Sequence, residues 1–168
     1  MQGAYWQALG SLIRSTQPAD ALYAARQSRE IFLRENDDLQ AAYATWLLTD
    51  SLMRVDGAIG TANEDDLLQA IDAAGRHGDR HLGVGLFRNL ARLHSDAGHH
   101  DQARKALHDA ANLLDRTDSG MLASLLGSSA LEEFLCGQVE TAMGLWRQAA
   151  SLAEAERPAF AALEVAPR

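Results

Sequence analysis

The sequence predicts an all-α protein, an α-solenoid of about four antiparallel helix hairpins, and three observations carry that prediction. Strand signals are nearly absent, with few β-branched residues and no Asn-Gly or Asp-Gly pair between alternating apolar runs. Apolar residues recur three and four apart throughout, on a background of Ala, Leu, Gln, Glu and Arg, which are good helix formers. A triplet spaced four then three, small-large-small in its last two copies, returns at a solenoid period: Leu67, Ile71, Ala74, then Ala103, Leu107, Ala110, then Ala142, Trp146, Ala149, at offsets of 36 and 39 residues.

Eight helices follow from the periodicity. The first spans about 3–15 with Trp6, Leu9 and Ile13 on its apolar stripe, and the second about 19–35, opening after Pro18. The third spans about 38–55 and carries Leu39, Tyr43, Trp46, Leu47 and Met53. The fourth, about 64–77, has a well-marked start: Asn63 suits an N-cap, and Glu64, Asp65 and Asp66 suit the positive end of the helix dipole. The fifth spans about 81–97, the sixth about 100–115, the seventh about 119–136 and the eighth about 139–156. Residues 1–156 are thus expected to form the repeat domain and 157–168, with two prolines, a C-terminal tail or the start of another element. Gly57, Gly78, Gly98 and Gly137 each follow an apolar-periodic run, where a left-handed residue ends a helix. The links are mostly short, which makes neighbouring helices antiparallel.

The small-large-small pattern has a packing reason. Small residues let helices approach closely, and the large one fills the groove between them. In the first hairpin two registers compete, Ala21, Ala25, Ser28 and Ala24, Ser28, Ile31. The best single repeat is Val84 to Asp115. Phe87, Leu90, Ala91 and His94 in its first helix, Gly98 at its turn, and Ala103, Leu107 and Ala110 in its second resemble the tetratricopeptide repeat family. His94 stands where that family usually has Tyr, and Asp115 where it usually has Pro. The 119–156 hairpin resembles the same family through Leu126, Ala130, Gly137, Ala142, Trp146 and Ala149. It departs at Ser129 and Glu133. The first hairpin comes close through Trp6, Leu9, Gly10 and Ile13. The 38–77 hairpin is degenerate, with the long loop VDGAIGTAN. The resemblance covers about 150 residues and implies a right-handed superhelix with a concave binding surface. Degenerate arrays of this kind are similar to those in bacterial transcription regulators and signalling ATPases.

Composition narrows the function. The net charge is −8, and acids outnumber bases in every third of the chain, which argues against a nucleic-acid surface. No apolar run is long enough to span a bilayer, and the first residues lack the pattern of a signal peptide. The single cysteine, Cys136, has no internal disulfide partner and is expected as a small core residue. Together these features predict a cytoplasmic protein. The first helix begins almost at the N-terminus with no polar capping helix evident. A longer protein, or ends covered by dimerisation, is therefore expected.

Four of the six histidines, His94, His99, His100 and His108, fall between Leu93 and Ala110. A metal site needs three or four converging ligands, often paired at i,i+4. His77 and His81 have that spacing but flank Gly78. His94 lies on the core stripe, His99 and His100 at a turn where solvent is expected, and His100 and His108 are eight residues apart. No HExxH and no Cys–His pairing is read, so neither a metal nor another cofactor is expected. Asp65/Asp66 and Glu132/Glu133 are adjacent and diverge, GSSA at 127–130 has no strand–turn–helix setting, and GAIGTA at 57–62 lacks the end of a P-loop. No catalytic residue is expected. The one enzymatic alternative rests on His94 and Asp96.

One feature points to binding. Arg76, His77, Arg80, His81, Arg88, Arg92 and His94 form a basic island interrupted by a single acid, Asp79. Arg88 and Arg92, one helical turn apart, share a face. The resemblance places them in the concave groove, where some tetratricopeptide domains hold a partner's C-terminal carboxylate with Lys and Asn. Two arginines instead suit planar carboxylate or phosphate recognition. Tyr43, Leu47 and Arg54 are expected to line the groove one hairpin earlier, and Phe134 one hairpin later. The function read from the sequence is non-catalytic: binding of a peptide or protein with acidic groups, or of a second copy of the chain. The alternative is a ligand- or peptide-sensing domain of a bacterial transcription regulator, which needs an enclosed apolar pocket.

Overall fold

The computed structural model describes residues 2–55, 62–114 and 118–164, the side chains of 155–164 excepted. Eight helices follow one another among the described residues: α1 (Gln2–Ile13), α2 (Pro18–Arg34), α3 (Asp38–Arg54), α4 (Glu64–Arg76), α5 (Arg80–Asp96), α6 (His100–Leu113), α7 (Ser119–Leu135) and α8 (Val139–Glu164). Each packs on its neighbours in sequence, and α3 also reaches α5, as α5 reaches α7. This is the all-α solenoid of antiparallel pairs that the periodicity predicts.

Local chemistry sets the helix ends. Asp37, Asp79 and Asp118 accept the amide protons of Gln40, Leu82 and Met121, and Asn63 accepts that of Asp65. Four connections are the same three-residue turn with a left-handed middle residue: Asn36 (φ 55°), Gly78 (69°), Gly98 (77°) and Gly137 (78°). In each, the next amide donates to the carbonyl five residues back: Asp37 to Phe32, Asp79 to Ala74, His99 to His94 and Gln138 to Glu133. Asn36 fills the role that glycine has elsewhere, since its short polar side chain tolerates this conformation. No glycine marks that turn in the sequence. Gly57 and most of the VDGAIGTAN loop lie outside the described residues.

The last helix is longer than the periodicity predicts. It runs to Glu164, across most of the stretch read as a tail. Pro158 removes a single helical N–H donor, while the flanking alanines and glutamates favour helix.

The core is rich in alanine. Leu67, Leu82, Val84, Leu86, Leu90, Leu107 and Leu125 interleave with Ala42, Ala70, Ala74, Ala103 and Ala110, all buried. Alanine at these positions lets backbones come close enough for one leucine per layer to fill the gap. The register of the first hairpin is now clear. Ala21 stands three residues after the start of α2, as Leu67, Ala103 and Ala142 stand in α4, α6 and α8. Ala21, Ala25 and Ser28 are fully buried there. α5 approaches α3 so closely at Gly85 that a Cβ would lie 2.6 Å from Trp46 Nε1. This contact draws the first helices of successive pairs into one wall.

Candidate functional site

That wall is formed by α3, α5 and α7 and encloses a groove of about 190 Å³. Trp46 and Asp50 from α3, Arg88 and Arg92 from α5, and Leu131 and Glu132 from α7 line it. Counted from each helix start, Trp46 and Asp50 occupy the same two places as Arg88 and Arg92. The groove is therefore a repeated face of the array.

Its electrostatics are uneven. Asp50 is shared by Arg14 at 3.4 Å and Arg54 at 3.2 Å, and the Arg14 guanidinium lies 4.9 Å over the Trp46 ring. Asn89 donates to Thr49 Oγ1 at 2.5 Å and to the Trp46 carbonyl at 3.3 Å, fixing the floor between α3 and α5. Arg92 Nε donates to Asp96 at 2.8 Å on the rim. Arg88 differs. Its Nε is buried without a hydrogen-bond partner. Burial pulls its pKa below the usual arginine value, and nearby Asp50 acts in the opposite sense. Among the described residues it makes no ion pair.

The other members of the basic island are mostly spoken for. Arg76 pairs with Asp72 and, at 2.5 Å, with Asp38; His77 lies 2.9 Å from the same Asp38. The hydrogen bonds from Arg76 and His77 hold the Asp38 carboxyl down to about 2. His81 faces Asp118 at 3.4 Å, and His94, only 6% exposed, faces Glu64 at 3.7 Å. Arg80 is exposed. The island is largely a set of contacts to carboxylates of other helices and turns, with Arg88 the exception among the described groove residues.

The remaining expected contacts fall elsewhere. Leu47 is 1% exposed and packs against α1 at Gly10, so it belongs to the core and cannot meet a partner. Tyr43 donates to Asp79 Oδ2 at 2.5 Å, which ties α3 to the α4–α5 turn and pushes the phenol up to about 12. Arg54 stands at the groove's edge through Asp50. Phe134 turns its ring to Trp146 on α8, with centroids 5.9 Å apart. Trp146 is itself 40% exposed, not enclosed between helices as its place in the triplet suggests. On α3 the groove face is rotated by one helical position from the expected one: it takes Trp46, Asp50 and Met53 in place of Tyr43, Leu47 and Arg54. Aligning the helix starts would have found it.

Two further readings change. His100, expected in solvent, is half-buried with its Nδ1 2.5 Å from Glu132 Oε1. Cys136, expected in the core, is partly exposed at the end of α7. A larger cleft of about 810 Å³ lies beside the α4–α5 turn, lined in part by His77, Asp79, Arg80, His81 and Asp118. Leu39, Val84, Leu113, Leu114 and Met121 line the rest of it, so its wall is mixed polar and apolar. No helix of the described residues is long and apolar enough to cross a membrane.

No family model matches the sequence, and no curated protein matches it. Among solved structures, one described as the crystal structure of MamA superposes with a TM-score of 0.62 at 18% identity, covering 93% of this chain and 81% of that one. At that identity the likeness is one of fold alone. The chain is an all-α solenoid of tetratricopeptide-like helix pairs, similar in architecture to MamA.

Proposed function

We propose that this protein is a non-catalytic interaction module whose α3–α5–α7 groove receives an acidic segment of a partner protein. The observation that carries this reading is Arg88: a half-buried arginine on the groove wall whose Nε is enclosed with an unmade hydrogen bond, one turn from Arg92. An unsatisfied buried donor costs about 1–3 kcal/mol, and a carboxylate seated there would supply the missing acceptor. Trp46 offers an apolar face beside it, and Ser95 and Ser128 offer hydroxyls. No metal, cofactor or catalytic residue enters this function, and nucleic acid is not a partner in it.

The test uses a peptide array scored by fluorescence anisotropy. Peptides with Asp, Glu or a free C-terminal carboxylate should bind, and amidated neutral counterparts should not. Arg88→Glu with Arg92→Glu should reverse that preference, and added salt should weaken binding by the parent protein. If the folded double variant keeps the same ligands, the groove assignment is wrong. The reading as a regulator's sensing domain would gain from a neutral small molecule that raises the melting temperature without affecting peptide binding. Self-association has its own candidate surface, since Phe134, Leu135, Val139, Met143 and Trp146 are 40–51% exposed together at the α7–α8 end.

A further inference from the structure

The third and fourth hairpins meet at a group of three different donors. His100 is the first residue of α6, and Glu132 and Cys136 stand one turn apart at the end of α7. An imidazole nitrogen, a carboxylate oxygen and the thiol sulfur all lie within 4.8 Å of one another. The Glu132 side chain is only 4% exposed, and its one described partner is His100. A carboxylate buried to this degree needs strong compensation, and one imidazole is a modest counterpart.

We propose that His100, Glu132 and Cys136 form a binding site for a divalent ion of the zinc class. The donor set decides the class. Thiolate, imidazole and carboxylate are the ligands of Zn²⁺, whereas Ca²⁺ and Mg²⁺ require oxygen cages. The i,i+4 spacing of Glu132 and Cys136 puts both on one helical face, and His100 enters from the neighbouring helix. Zinc bonds of about 2.0–2.3 Å imply donor separations near 3.5 Å, so the imidazole and the carboxylate, 2.5 Å apart, must open by about 1 Å while the thiol sulfur moves to the same separation, within the reach of side-chain rotation. On binding, the Cys136 thiol passes its proton to solvent and the S–Zn bond forms. The thiolate and the Glu132 carboxylate then balance the ion's two charges. Arg104 is a neighbouring cation near Cys136 that the ion must tolerate. Its charge is already engaged by Asp101 at 2.6 Å and by Glu133 at 3.8 Å. Three protein ligands leave a fourth position for water. The ion would join α6 to α7, at the far end of these helices from the 114–118 connection.

The experiment titrates the reduced, metal-free full chain with Co²⁺ alone and then with Zn²⁺. A sulfur-to-cobalt charge-transfer absorption should saturate at one equivalent and vanish as Zn²⁺ replaces Co²⁺. Cys136→Ser should abolish the band. Cys136→Ser and His100→Ala should each weaken Zn²⁺ binding at least about 100-fold, a loss no smaller than that seen for outer-shell ligand partners. His99→Ala and His108→Ala should leave it unchanged. Glu132→Gln keeps the side-chain shape while removing one anionic ligand, and circular dichroism confirms the fold of each variant. No charge-transfer band at saturating Co²⁺ would overturn the proposal. So would a folded Cys136→Ser protein that binds Zn²⁺ as tightly as the parent.

Discussion

Replacing Arg88 by methionine separates stability from binding in a way that tests the groove directly. In the structure the Arg88 side chain is half-buried, its enclosed Nε has no acceptor, and Asp50 is already shared by Arg14 and Arg54. Methionine keeps most of the apolar stem contacts and removes the unmet donor. The unmet hydrogen bond costs about 1–3 kcal/mol, and losing the attraction to Asp50 offsets part of the relief. A net gain of about 1 kcal/mol is expected, which raises the melting temperature by roughly 2–4 °C in a domain of this size. Urea unfolding followed by circular dichroism reads the change as a shifted midpoint at constant slope. Arg92→Met is the control. It breaks an exposed i,i+4 pair with Asp96 and should change stability by less than about 0.5 kcal/mol. Both variants should lose acidic peptides. A folded Arg88→Met protein destabilised by more than about 1 kcal/mol would refute the reasoning, because Arg88 would then be a structural ion-pair partner and not an unfilled binding position.

Gly85→Ala should destabilise by about 1–3 kcal/mol and shift tryptophan emission, because the new methyl would meet Trp46 Nε1 at 2.6 Å and force the α3–α5 contact open. Asp38→Asn should flatten the acid side of the stability curve. With the folded pKa near 2 and the ordinary value at 3.8, the ionised carboxylate's contribution is complete above about pH 4 and is lost as pH falls toward 2, so chemical unfolding across that window should differ between parent and variant. Tyr43→Phe tests the opposite end. The phenol is raised from 10.0 to about 12 chiefly by its bond to Asp79, so its contribution is full below pH 10 and lost as pH rises toward 12. The Tyr43→Phe variant should lack that alkaline decline, and a parent phenol titrating near its ordinary value in an absorbance scan would contradict the contact.

By itself the sequence determined the helices and their order. Helix periodicity, Asp and Asn caps and the glycines at 78, 98 and 137 are local signals, because each acts within one or two turns of its own residue. The same holds for the small-large-small triplets, which mark the face each helix gives to its neighbours. His94 was legible as a packing residue for that reason. The tail was not, because a proline that removes one donor does not decide between helix and coil when alanine and glutamate surround it. Arg88 and Arg92 lie on the proposed groove, whereas its α3 side falls one helical position from the stripe the sequence suggests, since one step turns a side chain by about 100°. Leu47 thereby passed from groove to core.

The tertiary structure alone decided which charges remain unspent and which donors meet. Asp38, Glu64 and Asp118 come from other helices and turns, and Asp96 from the next turn of α5, to contact most of the basic island. That leaves Arg88 as the exception in the groove. His100 lies 32 residues from Glu132, on another helix, and only the stacking of the third hairpin on the fourth brings them to 2.5 Å. The physical reason is the same in both cases. Backbone hydrogen bonds are written locally along the chain, whereas pairing across helices depends on the rotation and offset of whole packed elements, set by the fit of alanines and leucines in the core.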